Sequence, residues 1–216
     1  RRRCSICCPT PGSATSPRSS AERRLLLGLI RPPWRNHGVG YAPEGHIAPH
    51  GQGQAPESNG ALTELLTAGV LCNDSQLLKS GDGYRVEGDP TEAALLAAAA
   101  KAGILPEEAE RRWPRIDAIP FESARQYMAT LQDAGPGRPR MMYVKGSIES
   151  ICMDCSLGYG SDASPAVVDS REIHRVVEDM AAAGLRVLAF ARKEMPPDAV
   201  RIQHEDLAEG LQFIRL

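Results

Sequence analysis

Asp89-Pro90-Thr91-Glu92 opens onto a run of alanines and leucines, AALLAAAAKAG, that Gly103 closes. A side-chain acceptor at the cap, proline at the first helical position and glycine after the last turn are the marks of a helix with fixed ends. Residues 61–73 (ALTELLTAGVLCN) place Leu62, Leu65, Leu66, Val70 and Leu71 at helical spacing and predict a second helix. Between the two, SQLLKSGDGYRVEG predicts a hairpin turning at Gly-Asp-Gly.

A short helix follows near 106–112. Strands are predicted at 115–121, 126–132 and 140–146, the last two joined by AGPGRP. SIESICMDC predicts a short helix, 165–183 a longer one, and 185–194 and 211–216 two further strands. Upstream, GVGYAPEGHI (38–47) predicts strand, turn and strand. Helices interleaved with meandering strands imply an α+β fold on an antiparallel sheet. No apolar run reaches the roughly 18 residues of a membrane span. LLLGLI at 25–30 is too short and stands between arginines and Pro-Pro.

Charge separates the chain into two parts. Residues 1–35 hold eight arginines against one acid, Glu22, whereas the remainder holds 17 basic and 26 acidic residues. The Arg, Ser, Pro and Cys mixture of the first part has no lasting periodicity and too little apolar surface to offset chain entropy. Residues 1–35 are therefore expected to be a disordered or foreign basic tail, with 36–216 as the folded domain. Apart from Trp34, no aromatic interleaves with the arginines to stack on bases, and the acidic remainder disfavours nucleic acid as a partner. Three of the six cysteines crowd positions 4, 7 and 8, with the others at 72, 152 and 155. Without a second well-spaced pair, Cys152-Met-Asp-Cys155 is half a zinc site, so ordinary free thiols in a reducing interior are expected. His46 and His50 are assigned to a loop, and no metal site is expected.

The sequence contains no P-loop, G-x-S-x-G or H-E-x-x-H. What stands out is a set of single positions. Phe121 follows Pro120 at a strand end, Lys145 lies in Val-Lys-Gly where a strand meets a helix, Glu92 sits in a first helical turn, and Arg186 follows Gly184-Leu185. Gly146 could admit a ligand close to the backbone. Each also has an ordinary reading: a core phenylalanine, a carboxylate opposing a helix dipole, solvated cations. The residues alone leave both open.

Their order along the chain resembles a known family. GDPTEAALLAAAAKAG (88–103), IPFESARQYMAT (119–130), YVKGSIESI (143–151) and GLRVLAFARK (184–193) resemble the nucleotide-binding (N) domain of P-type cation-transporting ATPases, in particular calcium-pump-like and bacterial or archaeal cation pumps. GVGYAPEGHI resembles the strand segment after the phosphorylation site of those pumps. The resemblance covers about 38–216.

It implies a twisted antiparallel sheet flanked by helix pairs and an ATP-binding, non-metal, non-catalytic site. The implied site residues are Glu92, Phe121, Ser123, Gln126, Met128, Lys145, Gly146 and Arg186. Phe121 would stack on adenine, Glu92 would meet its edge, Lys145 with Gly146 would form the pocket floor, and Arg186 would reach the phosphates. The resemblance further implies a cytoplasmic part of a multi-pass membrane protein, with the phosphorylation and actuator domains of the same pump as partners. The membrane would be met only through the full-length protein, the piece itself would be a monomer, and Mg-ATP would be the ligand of the whole enzyme.

Three departures are visible. Gln126 stands where the family often has Lys, Ser123 where some members have Arg, and K-G-S-I-E replaces K-G-A-P-E while keeping Glu149. The phosphate-accepting D-K-T-G-T motif is not in this sequence, so the chain is expected to bind ATP, with a Kd on the order of a millimolar, and not to hydrolyse it. The alternative is a protein-interaction or regulatory module that kept the fold and lost useful nucleotide binding, for which Gln126 is the best argument.

Overall fold

The computed structural model describes residues 26–27, 34–37, 40–49, 59–81, 83–151, 157–159, 165–167 and 170–215. In chain order the elements are β1 (Leu26–Leu27), β2 (Trp34–His37), β3 (His46–Pro49), α1 (Gly60–Leu71), β4 (Gln76–Ser80), β5 (Gly83–Glu87), α2 (Pro90–Lys101), α3 (Pro106–Arg112), β6 (Arg115–Glu122), β7 (Tyr127–Gln132), β8 (Arg140–Gly146), α4 (Ile148–Ile151), β9 (Leu157–Tyr159), β10 (Pro165–Val167), α5 (Ser170–Ala182), β11 (Ala189–Met195) and β12 (Gln212–Arg215). One 3-10 turn, His204–Leu207, precedes β12.

Seven strands form the main sheet in the order β10-β9-β12-β11-β8-β7-β6. Every adjacent pair is antiparallel except β9 with β12, which run parallel. The α+β fold is as expected, with that one parallel pair as a correction to a purely antiparallel sheet.

Side chains alternate across β7, β8 and β11 and build a core on each face. On one face Met128, Met141, Tyr143, Phe190 and Ile214 pack with the leucines of α1 and α2. On the other, Ala129, Leu131, Met142, Val144 and Phe213 pack with Ile148 and Ile151 of α4 and Ile173 of α5. Burying each leucine contributes about 1.5–3 kcal/mol. Small residues at the α1–α2 contact let the helices close tightly: a Cβ on Gly69 would already meet Leu95 at 3.5 Å.

The predicted helices are present as α1, α2 and α3, α1 ending at Leu71 where 73 was expected. Asn59 caps α1 by accepting from Leu62 N at 3.0 Å, and Asp89 caps α2 by accepting from Thr91 N at 2.7 Å. Four expectations need correction. Residues 165–183 are not one helix, because Pro165–Val167 pairs with β9 and α5 begins at Ser170. The strand expected from residue 185 begins at Ala189. The first upstream strand precedes GVGYAPEGHI, whose end does supply the second: β2 (34–37) pairs with β3, which starts at His46, and 40–45 is no strand. His46 is accordingly a strand residue, its ring stacked on His37 at 4.7 Å, and not a loop residue.

The small sheet β1-β2-β3 extends back to Leu26, inside the segment expected to be a tail. The rest of 1–35, His50 and Cys4, Cys7, Cys8, Cys152 and Cys155 lie outside the described residues. Cys72 is buried and free, and burial pushes its thiol up to about 11.

Candidate functional site

The sheet register gathers the candidate residues. Phe121 is next to last in β6, Gln126 and Met128 flank the start of β7, Lys145 and Gly146 end β8, and Arg186 lies just before β11. In adjacent antiparallel strands, ends and starts alternate along one edge. Glu122 pairs with Tyr127, Met128 with Lys145, and Gly146 with both Tyr127 and Ala189. Ser123 lies in the turn joining β6 to β7. Seven of the eight candidates therefore share one end of four neighbouring strands, and the eighth, Glu92, reaches them from α2.

Glu92 is where the sheet and the helix layer meet. Its Oε1 accepts from Lys145 Nζ at 2.7 Å. Its Oε2 accepts from Asp74 N at 2.9 Å and from Ser75 Oγ at 3.1 Å. Lys145 is only 5% exposed, which excludes the solvated-cation reading. A buried ammonium needs a charged partner, and Glu92 is it. The carboxylate does more than oppose the dipole of α2, because it joins that helix to β8 and to the turn after α1.

That turn, Asn73-Asp74-Ser75, was not singled out from the sequence. It follows from how α1 ends. No glycine closes the helix, so its last carbonyls take side-chain donors. Leu71 O accepts from Thr130 Oγ1, Gln132 Nε2 and Arg115 at 3.2–3.3 Å. Asn73 Nδ2 donates to Gly69 O and to Glu92 O, each at 2.9 Å, and its Oδ1 accepts from Ser75 N at 2.9 Å. The available signal was the Asn-Asp-Ser triplet itself, since these side chains bond to nearby backbone where helices stop.

The remaining candidates divide by exposure. Met128 is buried beneath the site and pairs with Lys145. Phe121 is 55% exposed, so the core reading is excluded and a ring face is left accessible. Ser123, Gln126 and Arg186 are exposed. Arg186 approaches Thr91 Oγ1 at 3.5 Å, beside Glu92. Gln126 adopts φ +57°, alone among described non-glycine residues in the left-handed region. Such conformations are held by their surroundings and cluster at functional sites.

Gly146 has a reason other than the one expected. A Cβ there would lie 2.4 Å from Gln126 O and 2.7 Å from Tyr127 Cβ. Glycine is required by the approach of β7 to β8, and its missing side chain makes room for protein backbone in place of a ligand.

A cleft of about 440 Å³ is lined by the 73–75 turn together with Trp113, Arg115 and Gln132, and none of the eight candidates lines it. Among the described residues no group of three His, Cys, Asp or Glu side chains is placed to hold a metal ion. Nor is any described helix long and apolar enough to cross a membrane.

Comparison with known proteins bears on this geometry. Residues 61–216 match the family model described as P-type ATPase, cytoplasmic domain N. The cation-transporting ATPase pma1 of Synechocystis sp. is 51% identical over 155 residues, covering 72% of this chain and 17% of that protein. A probable cation-transporting ATPase F of Mycobacterium bovis is 38% identical over 188 residues, 85% of this chain and 20% of that protein. A calcium-transporting ATPase of Bacillus subtilis is 32% identical over 160 residues, 73% of this chain and 18% of that protein. The chain spans no more than 20% of the length of these relatives.

Proposed function

The chain belongs to the cytoplasmic N-domain family of P-type cation-transporting ATPases, and on that premise we propose that it binds ATP at the strand-end site and presents it to an aspartate elsewhere in a longer pump. The observation that carries this reading is the convergence of all eight candidates on one edge. Supporting it, Phe121 and Arg186 are exposed at the strand ends that carry the ion pair of buried Lys145 with Glu92. A ring face suits adenine, with stacking contributing about 1–3 kcal/mol. Glu92 Oε1 retains acceptor capacity beyond its bond to Lys145 and suits the adenine 6-amino group. Arg186 suits a phosphate through paired N–H donors. Ser123, Gln126 and Met128 border the same edge, and Mg²⁺ would arrive with the nucleotide.

In the whole pump, an aspartate carboxylate oxygen would attack the γ-phosphorus while the bond to the ADP oxygen breaks. ADP leaves, the phosphoryl group stays on the aspartate, and ion movement is coupled to its turnover. This domain contributes positioning, with the phosphorylation and actuator domains as its partners.

Calorimetric titration of the 216-residue chain with Mg-ATP tests the binding step. The wild type is expected to bind with a Kd on the order of a millimolar, and Phe121→Ala to lose about tenfold or more without a change in melting temperature. Equal affinity in both proteins would remove Phe121 from the site. No binding by the wild type at several millimolar would favour the interaction-module alternative, for which Gln126 in place of a cation is the supporting feature.

A further inference from the structure

We propose that Ser75 is a positioning residue of the nucleotide site, setting the Glu92 carboxylate so that one oxygen faces the adenine edge and giving the site its preference for a 6-amino purine. This rests on the reading of the site as an adenine pocket and adds a residue that makes no contact with nucleotide itself.

The geometry begins at Gly88. The connection from β5 into α2 passes against Ser75 so closely that a Cβ on Gly88 would lie 2.4 Å from Ser75 Oγ and 2.9 Å from its Cα. Gly88 has φ +106°, which also favours glycine. Ser75 is thereby pinned between the turn after α1 and the first turn of α2. Its N–H is held by Asn73 Oδ1 at 2.9 Å, which anchors its backbone.

The hydroxyl has one hydrogen and two acceptors in reach, Asp89 O and Glu92 Oε2, both at 3.1 Å. The charged acceptor takes the larger share. Together with Asp74 N, Ser75 Oγ saturates Oε2. Lys145 Nζ takes one position on Oε1. The carboxylate is held at three points, and its remaining acceptor capacity lies on Oε1, the oxygen that Lys145 marks as the floor side of the site. Without the hydroxyl, Oε2 keeps only Asp74 N, and the carboxylate can turn about its terminal torsion, which is broad for glutamate. The 6-amino group of adenine then loses a fixed acceptor, whereas a 6-oxo purine, which offers an acceptor at that position, had nothing to lose.

The test is a set of affinities for ATP and for inosine triphosphate, measured on the 216-residue chain as wild type, Ser75→Ala, Glu92→Gln and the double variant. The wild type is expected to prefer ATP by about five- to tenfold, the worth of one fixed bond to a charged acceptor. Ser75→Ala is expected to bring that ratio below about twofold by weakening ATP while leaving inosine triphosphate unmoved. In the Glu92→Gln background Ser75→Ala should change nothing further. Ser75→Cys, similar in shape with a weak donor, should fall between and serves if the alanine variant does not fold. A wild-type ratio retained in Ser75→Ala, or an equal loss for both nucleotides, would overturn the proposal. If the wild type itself shows no preference, the adenine-edge reading falls first and the role of Ser75 with it, an outcome visible before any variant is made.

Discussion

Two ion pairs join the helix layer to the same face of the sheet, one on a buried lysine and the other half-buried, and they differ in what surrounds them. Glu64 of α1 accepts from Arg192 NH1 of β11 at 2.9 Å and from Tyr143 OH of β8 at 3.0 Å. Glu92 of α2 accepts from Lys145 of β8 at 2.7 Å. Tyr143 and Lys145 are two residues apart on β8 and share one face. The first pair is closed by the tyrosine, whose hydroxyl is pushed well above its usual range by burial and then by the neighbouring Glu64 charge. The second lies at the strand ends, where Arg186 approaches Thr91 next to Glu92 and Gln126 O lies against Gly146 next to Lys145. Similar charge chemistry serves as a clamp in mid-sheet and, on the proposed function, as a pocket floor at the edge. Position relative to the strand ends makes that distinction, and residue type does not.

The comparison can be broken by removing each cation. Lys145→Met takes the charged partner from the half-buried Glu92 carboxylate, which keeps its bonds to Asp74 N and Ser75 Oγ, and is expected to cost about 3 kcal/mol in urea unfolding and to weaken ATP binding as well. Arg192→Met leaves Glu64 with the tyrosine hydroxyl and more solvent access. It is expected to cost about 2–3 kcal/mol and to leave ATP affinity unchanged. A loss of ATP affinity in Arg192→Met equal to that in Lys145→Met would erase the distinction.

Smaller changes sharpen it. Gly146→Ala forces a methyl group against Gln126 O and Tyr127 and is expected to cost about 1–3 kcal/mol in thermal unfolding. Cys72 lies under the floor, its Sγ donating to Met128 O at 3.7 Å. With its thiol pushed up to about 11, little native thiolate exists at pH 8, and alkylation should be slow until the chain unfolds. Because the folded pKa is raised, this contribution to stability is full below the usual thiol range and is lost as pH rises toward 11. Stability between pH 6 and 8 should not respond to Cys72→Ser through this linkage.

Much of this was legible in the sequence where local chemistry decides the outcome. Asp89, Pro90 and Gly103 fix α2, and β4 and β5 pair as a hairpin on either side of the Gly-Asp-Gly signal. The misreadings occur where distant pairing decides. Val167 and Val168 suit a helical face and a strand equally, and pairing with β9 makes Pro165–Val167 a strand. The parallel contact of β9 with β12 joins residues more than 50 positions apart, which no local pattern carries.

The site shows the same division. The types and order of Glu92, Phe121, Lys145 and Arg186 were visible through the family resemblance. That Glu92 and Lys145, 53 positions apart, are partners was not. The ordinary readings also sort by fold: Phe121 is exposed where a core residue was one option, and Lys145 is buried where a solvated charge was another. Ser75 looked like any turn serine until the close approach of Gly88 put it under α2.

The central claim is that the strand-end edge is where ATP binds. A proton–nitrogen NMR titration of the 216-residue chain with ATP tests it most directly. Shifts concentrated at Glu92, Phe121, Gln126, Lys145 and Arg186, with Arg192 and its neighbours on β11 unmoved, are the predicted result. Shifts centred on the Trp113–Arg115 cleft, or no concentrated shifts at several millimolar ATP, would contradict it.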